Sequence, residues 1–450
     1  MRRCLFQRSI RRGALASLLP LLLCLASRGR ADTLPDPASA PPANPPLTLQ
    51  ACRQIALGNQ PTIAATRASL QASLDRQAAL QNLRVPSCLA RDLPIRQKQS
   101  ALGVTIAQAG IGQAEAETLH GVSVGYLGAL YAAQQIRLTD DPESGIRRRL
   151  KDLQTLVNDL VSRKQRRDVT LPEHRELVMS FLHTLDGRVQ EAQQGKLRAL
   201  AALREAMGVG PDFVIVLPDR DLPCPRVKPQ LNELIALALA RRGEMIQSAA
   251  FAEVVCLEMD AQASSHRPTM RTFASGSDIH AKPIPSGDLG GVSFRPAIVG
   301  PDMPANLTGS RAARVQQAHD YHERAQALTA KTRNLIALEV EDLYRRWVDK
   351  TEKAINLEKA YREAWTFSEK IKVSFNKEER GSYPNVDEVL NAGLITTRLQ
   401  LEWKEAHYQA LLALAALERA TGEGFVVDFD AAPACEGEGK DSPHNANGKD

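Results

Sequence analysis

The chain has 450 residues, of which only 4% are aromatic, and it carries a formal net charge of +5. This length allows two or three ordinary domains or one elongated domain, and the scarcity of aromatic residues favours long helices packed through small side chains over a thick globular core. The charge does not indicate a nucleic-acid partner, because residues 1–31 hold seven Arg and no acid, and beyond them 50 basic residues face 52 acidic ones.

Residues 1–31 have the layout of a signal peptide. Their arginines precede the apolar run ALASLLPLLLCLA (Ala14–Ala26), which is too short to span a bilayer. We therefore expect export, with cleavage near Ala31. The pair Arg11 and Arg12 is also compatible with a twin-arginine signal, although paired arginines are common in such segments.

The seven cysteines fix neither a disulfide nor a metal site. Cys24 could be a lipid-attachment site, but the bulky Leu23 before it argues against this. The odd number of cysteines after cleavage leaves pairing undecided, and buried single thiols are the favoured interpretation because CxxC and zinc spacing are absent. These cysteines are Cys52, Cys88, Cys224, Cys256 and Cys435.

The chain that follows divides into two related halves. Residues 32–46 are rich in Pro and Ala and predict a flexible leader. The halves are residues 47–210 and 231–424. Their first residues have similar sequences when they are aligned with an offset of 182 residues, for example Ala56 with Ala238. Their last residues are also similar. LRALAALREAMGVG (Leu197–Gly210) and LLALAALERATGEG (Leu411–Gly424) are identical at nine of fourteen positions. We expect two tandem repeats.

Long antiparallel helices are predicted within each half, with a small β portion possible. From about Arg311 to Phe375 there is no Pro or Gly, so this helix could reach roughly 100 Å and needs neighbours along its length, as in a coiled coil. A stripe of apolar residues follows it at helical spacing. The stripe consists of Ile336, Leu343, Trp347, Ala354, Tyr361 and Trp365.

An insert distinguishes the second half. Residues 266–309 are rich in Pro, Gly, Ser and Asp and predict a β hairpin or long loop, whereas VPSCLARDLPIR (residues 85–96) predicts a simple turn at the matching place. The connector 211–230 contains FVIVL, which could form a short strand. The segment EGEGKDSPHNANGKD (Glu436–Asp450) is polar, and we expect a disordered tail over 425–450.

These features together resemble the TolC family of outer-membrane efflux proteins, over about residues 47–425. The most specific stretch is GSYPNVDEVLNAGLITTRLQLEWKEAHYQALLALAALERATGEG (Gly381–Gly424), which is similar to the second-half motif of the family. The resemblance implies a homotrimeric α-barrel, a periplasmic tunnel capped by a β-barrel in the outer membrane. It also implies a passive conduit for efflux or type I secretion that receives substrate from an inner-membrane pump through a periplasmic adaptor.

The resemblance also implies site residues. Matching VLNA to the VLDA pattern of the family places Glu388, with Asp387 beside it, at the first acidic position of a pore constriction and Asn391 at the second, where a charge is then in doubt. Alternatively, Asp387 and Glu388 only stabilise a helix N-terminus that Asn385 could cap.

The two helix tips are candidates for docking the adaptor. The first-half turn RKQRRDVTLPEH is strongly basic, which usually marks a solvated helix end but could also mark a docking surface. The candidate tip residues are Arg163, Arg166, Arg167, Gly381 and Ser382.

The simple turn in the first half departs from the family pattern. Two strands from each of three subunits would give six, and a barrel of eight strands is already filled by side chains. The alternative function is therefore a periplasmic coiled-coil structural or interaction protein that has lost its membrane barrel. A third candidate, an adaptor protein, should show a lipoyl-like β domain instead of duplicated hairpins.

The sequence does not indicate an enzyme, a cofactor or a metal site. HExxH, GxxxxGK[ST] and GxSxG do not occur. The nine histidines are scattered without ligand spacing, and the three tryptophans are expected to fill helix seams. We expect no catalytic residues.

Overall fold

The computed structural model describes residues 46–433, except 85, 87–89, 143–144, 164–171, 219, 266, 274–302 and 377–385. The expected signal peptide and all but the last residue of the leader lie outside these residues. The described residues form nine helices and two short strands. They are α1 (Leu49–Asn59), α2 (Pro61–Gln81), α3 (Leu93–Asp140), α4 (Ile146–Arg163), α5 (Pro172–Ala206), α6 (Leu231–Arg241), α7 (Gly243–Ser264), β1 (Thr269–Arg271), β2 (Asn306–Thr308), α8 (Arg311–Asn376) and α9 (Val386–Ala420).

The repeated sequence at the end of each half forms the same helix-ending turn. Gly208 follows α5 with φ +65°, and Gly422 follows α9 with φ +58°, a left-handed conformation that glycine adopts without strain. In the first half the Val209 N–H donates to the carbonyl of Arg204, five residues back, which closes the last helical turn. Each glycine lies against the junction between the two opening helices of its own half.

Helix α8 is continuous over 66 residues, as the sequence predicts, because no Pro or Gly interrupts it. Its N-terminal part packs against α7 and its C-terminal part pairs with α9. The stripe facing α9 includes Ile336, which is fully buried, and Tyr361, which stacks on Trp403 with ring centroids 5.5 Å apart. In the first half the corresponding rod is divided into α3 and α4. Pro142 lies at the break, and proline cannot donate the hydrogen bond that would continue the helix.

The connector and the beginning of the tail pack together beside α1. Val427 and Phe429 are buried in the cluster that also holds residues of α1, α3 and α9. The Asp430 carboxylate accepts hydrogen bonds from the backbone N–H groups of Leu49 (3.2 Å) and Gln50 (2.8 Å), so it caps the first turn of α1.

The prediction of disorder over 425–450 is therefore wrong for 425–433. Alternating apolar residues of this segment fill a gap between helices of both halves, and the rest of the predicted tail lies outside the described residues. The expected strand in the connector does not form either. Residues 213–217 have no regular secondary structure, although the Leu47 N–H donates to the Val216 carbonyl at 2.8 Å.

The three described cysteines differ in state. Cys52 is free and buried, and desolvation, followed by the charge of Asp430, raises the pKa of its thiol to about 11. Cys256 is also free. Cys224 is disulfide-bonded, so the single-thiol interpretation is wrong for this residue.

The described ends of the insert form a small antiparallel ladder, in which Met270 of β1 pairs with Leu307 of β2. Two arginines, the half-buried Arg96 and the buried Arg314, hold the ladder to the helices. Arg96 of α3 pairs with Glu258 of α7 and donates to the Arg271 carbonyl, while Arg314 of α8 donates to the carbonyls of Gly309 and Ser265. Between α2 and α3, the described residues of the matching place contain no strand.

Candidate functional site

The candidate site is the end of the bundle where α4 and α8 end and α5 and α9 begin. Apolar residues of α4, α5 and α9 form one buried cluster there, with Ile371 and Phe375 of α8 packed against it. Gly393 allows α4 to approach α9, because a Cβ at this position would lie 2.8 Å from the Leu153 side chain. Arg149 of α4 also bonds Gln400 of α9 at 2.6 Å. The hairpins of the two halves are thus packed against each other.

The three candidate constriction residues share one face of α9. Asp387, Glu388 and Asn391 are exposed, whereas Val389 and Leu390 are each only 1% exposed because they pack into the cluster. The spacing of the exposed residues puts them on the face opposite the core. This face continues along α9 through the exposed side chains of Ile395 and Arg398.

Both interpretations of the acidic pair are compatible with this geometry. Asp387 and Glu388 lie in the first turn of α9, where carboxylates interact favourably with the helix dipole. Their exposure equally leaves them available to line a passage between subunits. Asn385, the possible cap, lies outside the described residues.

The candidate docking residues fall at the margin of the described structure. Arg163 is the last residue of α4, and its side chain is not described. Arg166, Arg167, Gly381 and Ser382 lie outside the described residues. The described helices on either side, α4, α5, α8 and α9, share one buried cluster at this end of the bundle.

The arrangement of two such hairpins resembles solved channel structures over most of the chain. The outer-membrane channel OprN superposes with a TM-score of 0.62 at 14% identity, covering 84% of this chain and 90% of that one. VceC from Vibrio cholerae gives 0.58 at 14% identity over 84% and 97% of the two chains. MtrE from Neisseria gonorrhoeae gives 0.55 at 14% identity over 84% and 89%.

The chain has the fold of the TolC-family outer-membrane channels. No family model matches the sequence, and no curated protein matches it by sequence. The TolC-like α-barrel fold is therefore carried by helix lengths, turn positions and packing rather than by sequence identity. Among the described helices, none combines the length and the apolar character needed to cross a bilayer.

A network of buried charges lies mainly in the second half of this TolC-like chain. Glu339 of α8 is paired with Arg242, at the junction of α6 and α7, and with Arg419 of α9 at 2.6 Å. Arg242 also pairs with Glu244 at 2.7 Å, and Arg419 with Glu117 at 3.1 Å.

Burial opposes ionisation in this network, but the ion pairs outweigh it. Desolvation would lower the pKa of Arg242, yet Glu244 and Glu339 raise it, and Arg242 in turn lowers the pKa of Glu244 against the desolvation of that carboxyl. In the first half the position of Arg242 is taken by Gln60, whose amide donates to the carbonyls of Glu205 and Ala206. Aligning the two halves with the offset of 182 residues pairs Arg242 with Gln60. This replacement of a neutral residue by a charged one is the sequence signal that could have revealed the network.

One group of possible metal ligands is present among the described residues. This group consists of His319, Asp320 and Glu323 on α8. All three side chains are exposed, so water would compete with them as a ligand of any metal ion. The solved structures that this chain resembles are channels rather than enzymes.

His407 predicts a pH dependence of stability. Desolvation lowers the pKa of this α9 imidazole to about 4, against the hydrogen bond that its Nε2–H donates to the Pro223 carbonyl at 3.0 Å. In the unfolded chain this imidazole binds a proton below about pH 6.5, whereas in the folded protein it stays neutral down to about pH 4. The free energy of unfolding therefore has its full value above about pH 6.5 and decreases as pH falls toward 4. Between pH 7 and pH 5 we expect a loss of about 2 kcal/mol that His407→Gln removes.

Urea unfolding of both proteins at several pH values measures this dependence. The carboxylates make the same contribution to the pH dependence of stability in both proteins, so they cancel in the difference between wild type and His407→Gln. Parallel stability curves for wild type and His407→Gln over this range would contradict the assignment.

Proposed function

We propose that this protein is the outer-membrane channel component of a tripartite efflux or type I secretion system. In this role it is a homotrimer and a passive conduit, exported by residues 1–31, with its helices in the periplasm. The observation that supports the proposal best is the fold similarity, which extends over 84% of this chain and over 89–97% of three channels. The proposed domain division is into repeats 47–210 and 231–424, joined by 211–230.

The proposed mechanism needs no chemical step. Substrate diffuses through a water-filled bore, and opening requires only that the helix ends at the tip separate. Threefold assembly would place three copies of Glu388 around the axis, where three carboxylates favour cations over anions. Asn391, one turn later on the same face, adds a polar ring without charge.

Glu388→Gln tests the proposed constriction. Removing three carboxylates from the narrowest ring is expected to reduce the preference for cations, so the reversal potential in a salt gradient shifts toward zero in planar-bilayer recordings. Glu363→Gln is the matched control, because it removes an exposed carboxylate from α8 with the same change in charge. An unchanged reversal potential for Glu388→Gln, in a protein that still conducts, would remove Glu388 from the constriction.

The proposed partners are a periplasmic adaptor and an inner-membrane pump. We place adaptor contact at Arg163, Arg166, Arg167, Gly381 and Ser382, because α4 and α8 end, and α5 and α9 begin, at one end of the bundle. Pull-down of the adaptor encoded by the host with a tip variant that carries Gln at the three arginines tests this placement.

One observation favours the alternative function. Where the second half has the insert 266–309, the first half has only VPSCLARDLPIR (residues 85–96), so one half alone has sequence enough for a membrane hairpin. A periplasmic structural protein with the same helical fold would need none. Fractionation of the native host separates the two functions, since a channel requires detergent for extraction from the outer membrane and a periplasmic protein does not.

A further inference from the structure

Six elements of the chain meet at the end of the bundle opposite the candidate constriction. The Gln97 amide of α3 donates to the Leu80 carbonyl of α2 at 3.0 Å, and the Gln99 amide donates to the Val254 carbonyl of α7 at 2.9 Å. Arg314 ties α8 to the last turn of α7, and β1 and β2 join these two helices. We call this region the basic end and define it by the described residues of 74–100, 257–273 and 303–314.

Positive charge is concentrated in the basic end. It holds nine arginine or lysine side chains and four carboxylates, in a chain whose charges beyond residue 31 nearly cancel. Two of the four carboxylates, Asp92 and Glu258, already pair with Arg96. The exposed basic residues are Arg76, Arg84, Arg91, Lys98, Arg267, Arg271 and Arg311.

Three of the basic side chains, Arg76, Arg96 and Arg271, lie close together although their charges repel. The guanidinium of Arg76 lies over the Phe273 ring at 4.0 Å. Arg96 donates to the Arg271 carbonyl at 3.1 Å, two residues from Phe273. Desolvation, followed by the charges of Arg271 and Arg96, lowers the pKa of Arg76. Arg84, Arg267, Arg271 and Arg311 form no ion pair with any described carboxylate. A group of cations without carboxylate partners favours binding to a surface that carries many negative charges.

Exposed apolar residues accompany the charges. Leu83 is 48% exposed beside Arg84 at the end of α2, and Leu74 is 38% exposed two turns earlier. Arginine next to exposed leucine suits the interface of a bilayer, where phosphate groups lie above apolar chains. A nucleic acid would instead favour exposed aromatic side chains for stacking, and Phe273 is covered by Arg76.

We propose that the basic end docks against the anionic phospholipid headgroups of a membrane. The proposal rests on the outer-membrane placement proposed above, which directs the strand-bearing end toward a bilayer. It assigns a binding role to the part of the first half between α2 and α3, where no described residue forms a strand, because this part carries Leu83, Arg84 and Arg91. The basic end then lies on the membrane surface around the strands rather than within the bilayer.

Binding of the full chain to vesicles tests the proposal. The probes are vesicles of neutral phosphatidylcholine alone and vesicles in which about a third of the lipid is anionic phosphatidylglycerol. We expect salt-sensitive binding to the anionic vesicles, weakened roughly a hundred-fold in the quadruple variant Arg84→Gln, Arg267→Gln, Arg271→Gln, Arg311→Gln. The neutral vesicles report any binding through the N-terminal apolar run.

Two further variants keep the test independent of folding. The control Lys331→Gln, Arg333→Gln, Lys353→Gln, Lys359→Gln removes the same charge from exposed positions of α8 and should bind like wild type. A quadruple Arg→Lys variant at the four basic-end positions should retain most of the binding.

Three results would overturn the proposal. They are equal binding to neutral and anionic vesicles, equal loss in the control variant, and tighter binding to a DNA duplex than to the anionic vesicles. If vesicle binding fails while the purified protein still conducts ions in bilayers, only the docking surface is lost and the proposed channel function stands.

Discussion

Gly208→Ala is expected to destabilise the fold by about 3 kcal/mol, from the left-handed backbone and the overpacking together. A Cβ at this position would lie 2.6 Å from the Asn59 carbonyl oxygen and 2.7 Å from the Gln60 Cα, and both are backbone atoms that cannot turn aside. The left-handed backbone, with φ +65°, adds about 1–2 kcal/mol for any residue with a Cβ. Relieving the contact requires α5 to move away from the junction of α1 and α2.

Two other glycines provide graded controls for this effect. Gly422 has the same backbone conformation, but its nearest contact would be at 3.4 Å, so Gly422→Ala should show only the conformational cost of about 1–2 kcal/mol. Gly210 has open space around it, and Gly210→Ala should be nearly neutral. Denaturant unfolding measures all three, and equal effects at Gly208 and Gly422 would contradict the close packing at Asn59.

Glu339→Gln is expected to destabilise the fold by about 3–5 kcal/mol. Glu339 is 2% exposed and is the only carboxylate among the described residues that pairs with both Arg242 and Arg419. Replacing it with a neutral amide leaves the Arg419 guanidinium, itself 7% exposed, with only the partly exposed Glu117. Removing one member of a buried ion pair is costly because the remaining charge stays desolvated.

Glu341→Gln is the control for Glu339→Gln. Glu341 lies two residues away on the same helix, and its side chain is half exposed in a pair with Arg345 at 3.6 Å. Such surface pairs contribute little, so the control should stay within about 0.5 kcal/mol of wild type. A small effect of Glu339→Gln in thermal or denaturant unfolding would show that the network is solvated in the native protein.

The parts of the fold that depend on local sequence could be predicted. Helix α8 follows from 66 residues without Pro or Gly, and the matching ends of the two halves follow from glycines that a helix C-terminus requires. The exposed face with Glu388 and Asn391 follows from helical spacing. Each of these features is decided by residues within a few positions of one another.

Features that join distant segments could not be predicted. Asp430 caps α1 across 381 residues, and nothing in the sequence around it indicates which distant helix it contacts. Glu339 occurs among other charged residues of α8, and only its contacts with α9 and with the junction of α6 and α7 show that it is buried. Sequence pattern reports which face of a helix is polar, but not which polar residues a neighbouring helix covers.

Imaging of the purified full chain in detergent tests the central claim most directly. The account predicts particles with threefold symmetry and a hollow helical tube roughly 100 Å long, the length of α8 at 1.5 Å per residue. Glu388 should lie on the inner wall near the end of that tube. Single, unassembled chains at micromolar concentration, or assemblies without an axial bore, would contradict the channel account.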